Sequence, residues 1–338
     1  MKGIFFIDAE NETAGQHLLN DVFDADIWNA LSSSLRLSAP LFSVKGMGDR
    51  RDELRETEVL FSTWGMPALA EEQITEYFPL LRAVFYAAGS VQGFARPFLK
   101  RGIRVFSAAS ANAIPVAEYA AAQVLLANKG FFQACRKMPT RYQAAKETAA
   151  SHPGNYRIKV GILGAGAIGR LVIERLRSSD LQLFVFDPFL GEEEAARLGV
   201  QKTSLDFIFR ECQTITNHLA NNPQTAGMLD YTLFSRMKPN ATFLNTGRGA
   251  QVVESDLIQA LEEEPGRCTV LDVTDPEPPF AGHPFYQMDN VWLTPHIAGS
   301  MGKEIHRMGE FMWKAFQDYQ NGKPNGCEIT LPQLQTMA

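Results

Sequence analysis

Residues 157–176 read RIKVGILGAGAIGRLVIERL. The apolar run up to Leu163 has the length and content of a buried strand. The residues after the glycines place Ile168, Leu171, Val172, Ile173 and Leu176 along one stripe at helical spacing. Between them lies Gly164-Ala165-Gly166-Ala167-Ile168-Gly169, a GxGxxG turn between strand and helix. Each glycine has a physical task. Gly164 permits the tight turn, Gly166 lets the backbone approach a pyrophosphate, and Gly169 lets the helix pack close to the strand. The helix N-terminus, opening at Ala167 and Ile168, then faces the anion. The next apolar run, LQLFVFD (181–187), ends in Asp187, where a dinucleotide's ribose would lie. A carboxylate there accepts hydrogen bonds from the 2′-hydroxyl and repels a 2′-phosphate, so NAD(H) is favoured over NADP(H), with Arg170 as the nearby cation that argues the other way. The competing reading is a purely structural turn with a capping aspartate; strand before, helix after and acid at the next strand end weigh against it.

The same rhythm extends outward. Further β-rich runs appear at TITNHLA (214–220), ATFLNT (241–246), CTVLDV (268–273) and VWLTP (291–295), with helical stretches such as ESDLIQALEEE (254–264) between them. Strands alternating with helices, and strands that are nearly continuous in apolar residues, predict a parallel sheet covered on both faces. Residues 1–110 repeat the pattern more weakly in GIFFID, VLFSTW, LRAVFYAAG and RGIRVFSAA. A long helical segment is expected to start near Pro115 and link the two halves. SHPGN (151–155) reads as a break, GMGDRRDE (46–53) as a solvated loop, and the chain after the helical run 303–323 as a polar tail. The fold class expected is α/β, with two doubly wound parallel-sheet domains.

Composition narrows the function classes. A chain of 338 residues with 45% hydrophobic content can bury two cores. The net charge of −6, with Lys and Arg scattered, offers no basic face for nucleic acid and no polybasic membrane segment. No window reaches the ~20 apolar residues of a membrane span. MKGIFFIDAENE turns acidic too early for a signal peptide. Cys135, Cys212, Cys268 and Cys327 show no metal-ligand spacing and read as reduced thiols, so no metal and a cytoplasmic location are expected.

Three polar residues stand after strands in the second half. LNTGRGAQVV (244–253) carries Arg248 between glycines, VLDVTDPEPP (270–279) carries Asp272 and then Glu277, and LTPHIAGS (293–300) carries His296. In an open α/β sheet the ligand crevice lies at the carboxyl ends of strands. Individually each residue has a dull alternative: Arg248 in a surface ion pair, Glu277 solvated, His296 capping a loop.

In order and spacing, GAGAIG, Asp187, NTGRG, DVTDPEP and PHIAG resemble the D-isomer-specific 2-hydroxyacid dehydrogenase family, most strongly over residues 100–312. The segment Asn112-Ala-Ile-Pro-Val116-Ala117-Glu118 and the strand end NHLANNPQT with His218 match it as well. The resemblance implies a Rossmann NAD-binding domain at 112–298 and a flavodoxin-like substrate domain formed by 1–111 with 299–338, separated by a cleft. It implies that Arg248 grips the substrate carboxylate, that His296 is the general acid and base, and that Glu277 orients the imidazole and raises its pKa. Cofactor contacts follow for Gly164, Gly166, Ala167, Ile168, Gly169, Asp187, His218, Leu219, Thr246, Asp272, Ala298 and Gly299, and substrate contacts for Ala88, Gly89, Asn112 and Trp64. The implied reaction is hydride transfer between NAD(H) and a small 2-hydroxy or 2-keto acid. A homodimer formed through 115–137 (Tyr119, Leu125, Leu126, Phe131, Phe132) is also implied, the alternative being a helix buried between the domains.

The pattern departs in one place: the family's Gly-rich loop before Asp-Asn reads Ala87-Ala88-Gly89-Ser90-Val91-Gln92 here. Members that act on formate carry glutamine where this chain has Glu277, which disfavours formate. The chain's length leaves no room for the added regulatory domain of many phosphoglycerate dehydrogenases. The runner-up from a different class is an NADH-sensing, corepressor-like scaffold on the same fold.

Overall fold

The structure is a computed structural model, and it describes residues 1–138 and 141–335. The chain divides into two compact units, one made of Met1–Asn112 with the chain from Ser300 onward, the other of Ala113–Gly299.

In the first unit β1 (Lys2–Phe5), β2 (Arg36–Leu37), β3 (Val59–Ser62), β4 (Ala83–Tyr86) and β5 (Arg104–Ser107) run parallel in the order β5-β4-β3-β1-β2. The four longer strands form because their residues are almost all fully buried, which suits a sheet covered on both faces. Phe5, Phe61, Phe85 and Phe106 occupy the same register position on four adjacent strands. Their ring centroids are 5.3, 5.2 and 4.8 Å apart in sequence across the sheet. Helix Glu304–Gln320 covers this ladder and sets Phe316 edge-on to Phe61 and Phe85, at 5.5 Å from each.

The second unit is a seven-stranded parallel sheet: β6 (Lys159–Leu163), β7 (Gln182–Phe186), β8 (Gln201–Lys202), β9 (Thr214–Asn217), β10 (Thr242–Asn245), β11 (Cys268–Leu271) and β12 (Val291–Leu293). The order is β12-β11-β10-β9-β6-β7-β8, so the strand order reverses at β6, between β7 and β9. Such a reversal opens the crevice where dinucleotides bind in doubly wound sheets. Apolar clusters pack on both faces of each sheet. Among the described residues no helix is long and apolar enough to cross a membrane.

Three local expectations are corrected. The linking helix begins at Ala109 and holds Pro115 inside it, ending at Ala127. Proline marks a helix start only when no better one precedes it. Here Ser107 Oγ accepts the Ala109 N–H at 3.1 Å, and the helix tolerates one missing hydrogen bond at Pro115. Residues 46–53 are no open loop: a 3-10 turn (Val44–Met47) leads to a helix (Arg51–Arg55), pinned by buried Met47 and Leu54. The polar tail contributes an antiparallel edge strand, β13 (Glu328–Ile329), paired with β5. The Glu328 carboxylate accepts two hydrogen bonds from Arg104, at 2.7 and 2.6 Å.

Candidate active site

The glycine turn follows β6 as its sequence demands. Gly164 has φ +90°, and a Cβ there would press on the His218 carbonyl. A Cβ on Gly169 would run into the Gly164 carbonyl, so the helix Ala167–Leu176 lies close against the turn. Gly166 is different: it is exposed, caps that helix, and a Cβ on it would meet nothing within 4 Å. The space above the first N–H groups of the helix is therefore open, as a bound pyrophosphate requires. Asp187 stands at the end of β7, where its carboxylate accepts from Ala165 N–H (2.7 Å) and Phe189 N–H (2.8 Å). Each oxygen keeps lone pairs for ribose hydroxyls. Arg170 is paired with Glu194 at 2.6 Å. These residues fit a dinucleotide.

β12, β11, β10 and β9 are neighbours, so their carboxyl ends lie side by side. After β12, His296 adopts φ +54°, a left-handed conformation uncommon for a residue with a side chain. Asp272, after β11, imposes it. Its buried carboxylate accepts from Thr294 Oγ1 (2.7 Å), Ile297 N–H (2.8 Å) and Ala298 N–H (2.9 Å), while its carbonyl accepts from His296 N–H (3.1 Å). Tyr119 OH lies 3.0 Å from Thr294 Oγ1. Both Asp272 oxygens are thus taken up by the loop that carries His296. The His296 ring is about half exposed, and its Nδ1 lies 2.7 Å from Glu277 Oε1. Nε2 makes no hydrogen bond among the described residues.

Arg248 follows β10 through Asn245-Thr246-Gly247. A buried carboxamide network shapes that turn. Asn217 Nδ2 donates to Asn245 Oδ1 (3.0 Å) and Gln251 Oε1 (2.6 Å); Asn245 Oδ1 also accepts from Gly247 N–H (3.0 Å); Gln251 Oε1 accepts from Arg248 N–H (3.2 Å). The guanidinium gives Nη1 to its own Gly247 carbonyl at 2.7 Å and takes part in none of the ion pairs among the described residues. Burial lowers the Arg248 pKa from the usual guanidinium value, and the charge of Glu277 opposes this. A half-buried cation beside a carboxylate, with most of its donors free, is poised to take a second anion.

The expected cofactor residues are otherwise distributed as follows. The His218 ring turns inward, with Nε2 2.9 Å from Thr216 Oγ1 and Nδ1 3.1 Å from Thr246 Oγ1. Burial pushes its pKa down to about 3, so the imidazole is neutral. Leu219 N–H donates to Asn217 Oδ1 at 3.2 Å, and Ala298 is buried on Asp272 ahead of Gly299. Trp64, Ala88, Gly89 and Asn112 belong to the first unit. Trp64 exposes 37% of its surface and so is not packed beneath its loop. The Gly89 carbonyl accepts from Ser107 Oγ (2.6 Å), and Asn112 Oδ1 accepts from Ser300 N–H (2.9 Å). Asn217, Asn245, Gln251 and Thr294 escaped sequence reading. Their one signal was polar character at the ends of otherwise buried strands.

Residues 121–298 match the model of the NAD binding domain of D-isomer specific 2-hydroxyacid dehydrogenases. The chain is 29% identical over 241 residues to the D-3-phosphoglycerate dehydrogenase of Archaeoglobus fulgidus, a match covering 70% of this chain and 44% of that protein. For the Mycobacterium tuberculosis D-3-phosphoglycerate dehydrogenase the figures are 31% over 209 residues, 62% and 39%. The matched part is thus less than half the length of these relatives. In fold, the chain is similar to the D-mandelate dehydrogenase of Rhodotorula graminis, with a TM-score of 0.80 at 18% identity and 97% of both chains covered. It is also similar to a phosphoglycerate oxidoreductase from Rhizobium etli, with a TM-score of 0.78 at 21% identity and 96% of both chains covered. With over half its length matched by the family model, the chain belongs to the D-isomer specific 2-hydroxyacid dehydrogenase family.

Proposed function

We propose that this protein is an NAD(H)-dependent oxidoreductase that interconverts a small D-2-hydroxy acid and its 2-keto acid. The observation that carries the proposal is the His296–Glu277 pair, 2.7 Å apart, beside a half-buried Arg248 that has no carboxylate partner of its own within ion-pair distance among the described residues. Arg248 binds the substrate carboxylate with two donors and polarises the adjacent keto oxygen. His296 donates its Nδ1 hydrogen to Glu277, which fixes the ring and leaves Nε2 to protonate the keto oxygen in reduction or to take the hydroxyl proton in oxidation. Asp272 holds the loop that aims the ring. Bound NADH supplies the hydride for the keto carbon, and NAD⁺ accepts it in reverse. Gly164, Gly166, Ala167, Ile168 and Gly169 form the pyrophosphate turn, and the Asp187 carboxylate together with the neutralisation of Arg170 by Glu194 supports NAD(H) over NADP(H). Trp64, Ala88, Gly89 and Asn112 keep their expected substrate-contact roles as part of the same proposal.

Free thiols at all four cysteines fit a reducing, cytoplasmic setting. A homodimer is supported by the exposed apolar side chains of Leu126 and Phe131. Phe132 is spoken for, because it packs edge-on to Trp292 at 5.6 Å.

The test is NADH oxidation followed by absorbance with glyoxylate, hydroxypyruvate and longer 2-keto acids. Turnover with at least one is expected, and His296→Ala should lower kcat by about a thousandfold or more while the NADH Kd changes little. Tight NADH binding without turnover of any panel member would overturn the proposal in favour of a sensing role, and equal loss of binding and turnover in the variant would make His296 structural.

A further inference from the structure

The same unit holds a second acid–imidazole pair, Glu254 and His283. Glu254 opens the helix Glu254–Glu263, just beyond the Arg248 turn, and its side chain is only 12% exposed. Its Oε1 accepts the Asp275 N–H at 2.9 Å, and its Oε2 lies 3.2 Å from His283 Nε2. His283 is buried, with its ring 4.8 Å from that of Phe280 and 4.6 Å from that of Phe285. Its Nδ1 accepts the Phe285 N–H at 3.3 Å, so the ring hydrogen sits on Nε2 and is donated to Glu254. A buried carboxylate is costly unless each oxygen finds a donor. Here both do, and burial raises the Glu254 pKa against those two donors.

The partner of Glu254 has a particular value. Residues 275–279 read Asp-Pro-Glu-Pro-Pro, and three prolines leave only Asp275 and Glu277 with a backbone N–H. Asp275 N–H is thus one of only two main-chain donors in this turn, whose Pro276 and Pro279 carbonyls accept from Thr274 Oγ1 (3.0 Å) and Tyr286 OH (3.2 Å). The same stretch is fastened a second time, because Gly249 lies so close to the Thr274 peptide that a Cβ would collide with it. Residues 249–254 are stitched to residues 274–275 at two points, with Arg248 at one outer end and Glu277 at the other.

We propose that Glu254, held by His283, is a positioning residue that sets the placement of Glu277, and through it of the His296 ring, relative to Arg248. The inference rests on the catalytic reading above. Neither Glu254 oxygen is free for substrate, so the effect passes through the 274–277 turn.

The test uses the full chain carrying E254Q, which keeps an oxygen for Asp275 but turns a donor toward the His283 Nε2–H. Expected are a kcat about tenfold lower, an NADH Kd within about twofold of the unsubstituted protein, and less than a twofold further loss when E254Q is added to E277Q. In ¹⁵N-histidine-labelled protein the His296 ring resonances, assigned by their loss in H296Q, should move toward their E277Q positions. An E254Q loss of equal size in the E277Q background, or unmoved His296 resonances, overturns the proposal. H283A repeats the same comparison should E254Q fold poorly. The resonances need no turnover, so the two failures separate: responsive resonances in a chain that reduces no keto acid sink the catalytic reading alone, whereas unmoved resonances in an active enzyme sink the positioning role alone.

Discussion

At the scale of single residues, the site uses two histidines in opposite ways. His296 is half exposed in a left-handed conformation beside Glu277, whereas His218 is buried between Thr216 and Thr246. The unfolded chain protonates His218 near the ordinary imidazole value of 6.5, whereas burial in the folded chain pushes this down to about 3. Between those values the unfolded state binds the extra proton, so the stability conferred by a neutral His218 is whole above pH 6.5 and is lost as the pH falls toward 3. His218→Gln, which keeps a donor and an acceptor, should flatten the stability–pH slope between pH 6 and 4 by about 1.4 kcal/mol per pH unit. Urea unfolding at intervals of half a pH unit measures it, and parallel slopes for the two proteins would contradict the assignment. The placement of Gly164, Asp187, Arg248, Glu277 and His296 after successive strands of one sheet was legible in the sequence, because each follows an apolar run in a recognisable order. The Asn217–Asn245–Gln251 network and the Glu254–His283 pair were not, because their partners lie roughly thirty residues apart and each member alone resembles an ordinary turn or capping residue.

At the scale of elements, the placement of Arg248 relative to Glu277 depends on how closely the turns after β10 and β11 approach. Gly249 is required there for space, since its neighbour is the Thr274–Asp275 peptide and a side chain would push the two turns apart. Gly249→Ala should cost about 1–3 kcal/mol of stability, as overpacking does, and lower kcat/KM for the keto acid by about a hundredfold, with NADH binding much less affected. An enzyme with unaltered kcat/KM would show that the turns can separate without consequence. The elements themselves were read with uneven success. β6 and β7 are mainly apolar and β9, β10 and β11 are rich in β-branched or aromatic residues, so all five announced themselves, whereas β2, β8 and β13 are two-residue edge strands with no periodicity to detect. The helix start at Ala109 was hidden because Pro115 is a stronger local signal than the Ser107 hydroxyl that actually accepts the first N–H.

At the scale of the whole molecule, the first unit is held by an aromatic ladder to which four strands and a helix distant in sequence each contribute a ring. Phe85 stacks on Phe61 and Phe106 and meets Phe316 edge-on, all in the interior. Phe85→Ala should destabilise the fold by about 3–5 kcal/mol, read from denaturant unfolding, and a change below about 1 kcal/mol would mean that the ladder contributes little beyond filling space. Gly309 adds a requirement of the same kind, because a Cβ on it would strike the Val22 carbonyl of the neighbouring helix. That residues after 300 would rejoin the first half could be expected from family resemblance, but nothing in the local sequence of 304–329 says which sheet they cover.

The helix that bears Phe316 and the strand that pairs with β5 both come after residues 113–299 in the chain, yet they complete the unit that began at Met1. On the ribosome the order of completion must therefore invert the order of synthesis. The seven-stranded sheet can close while translation continues, and the sheet made first waits with one phenylalanine face only partly covered, by residues 19–31, until residue 329 has emerged. That interval is when a nascent chain of this design most needs a chaperone.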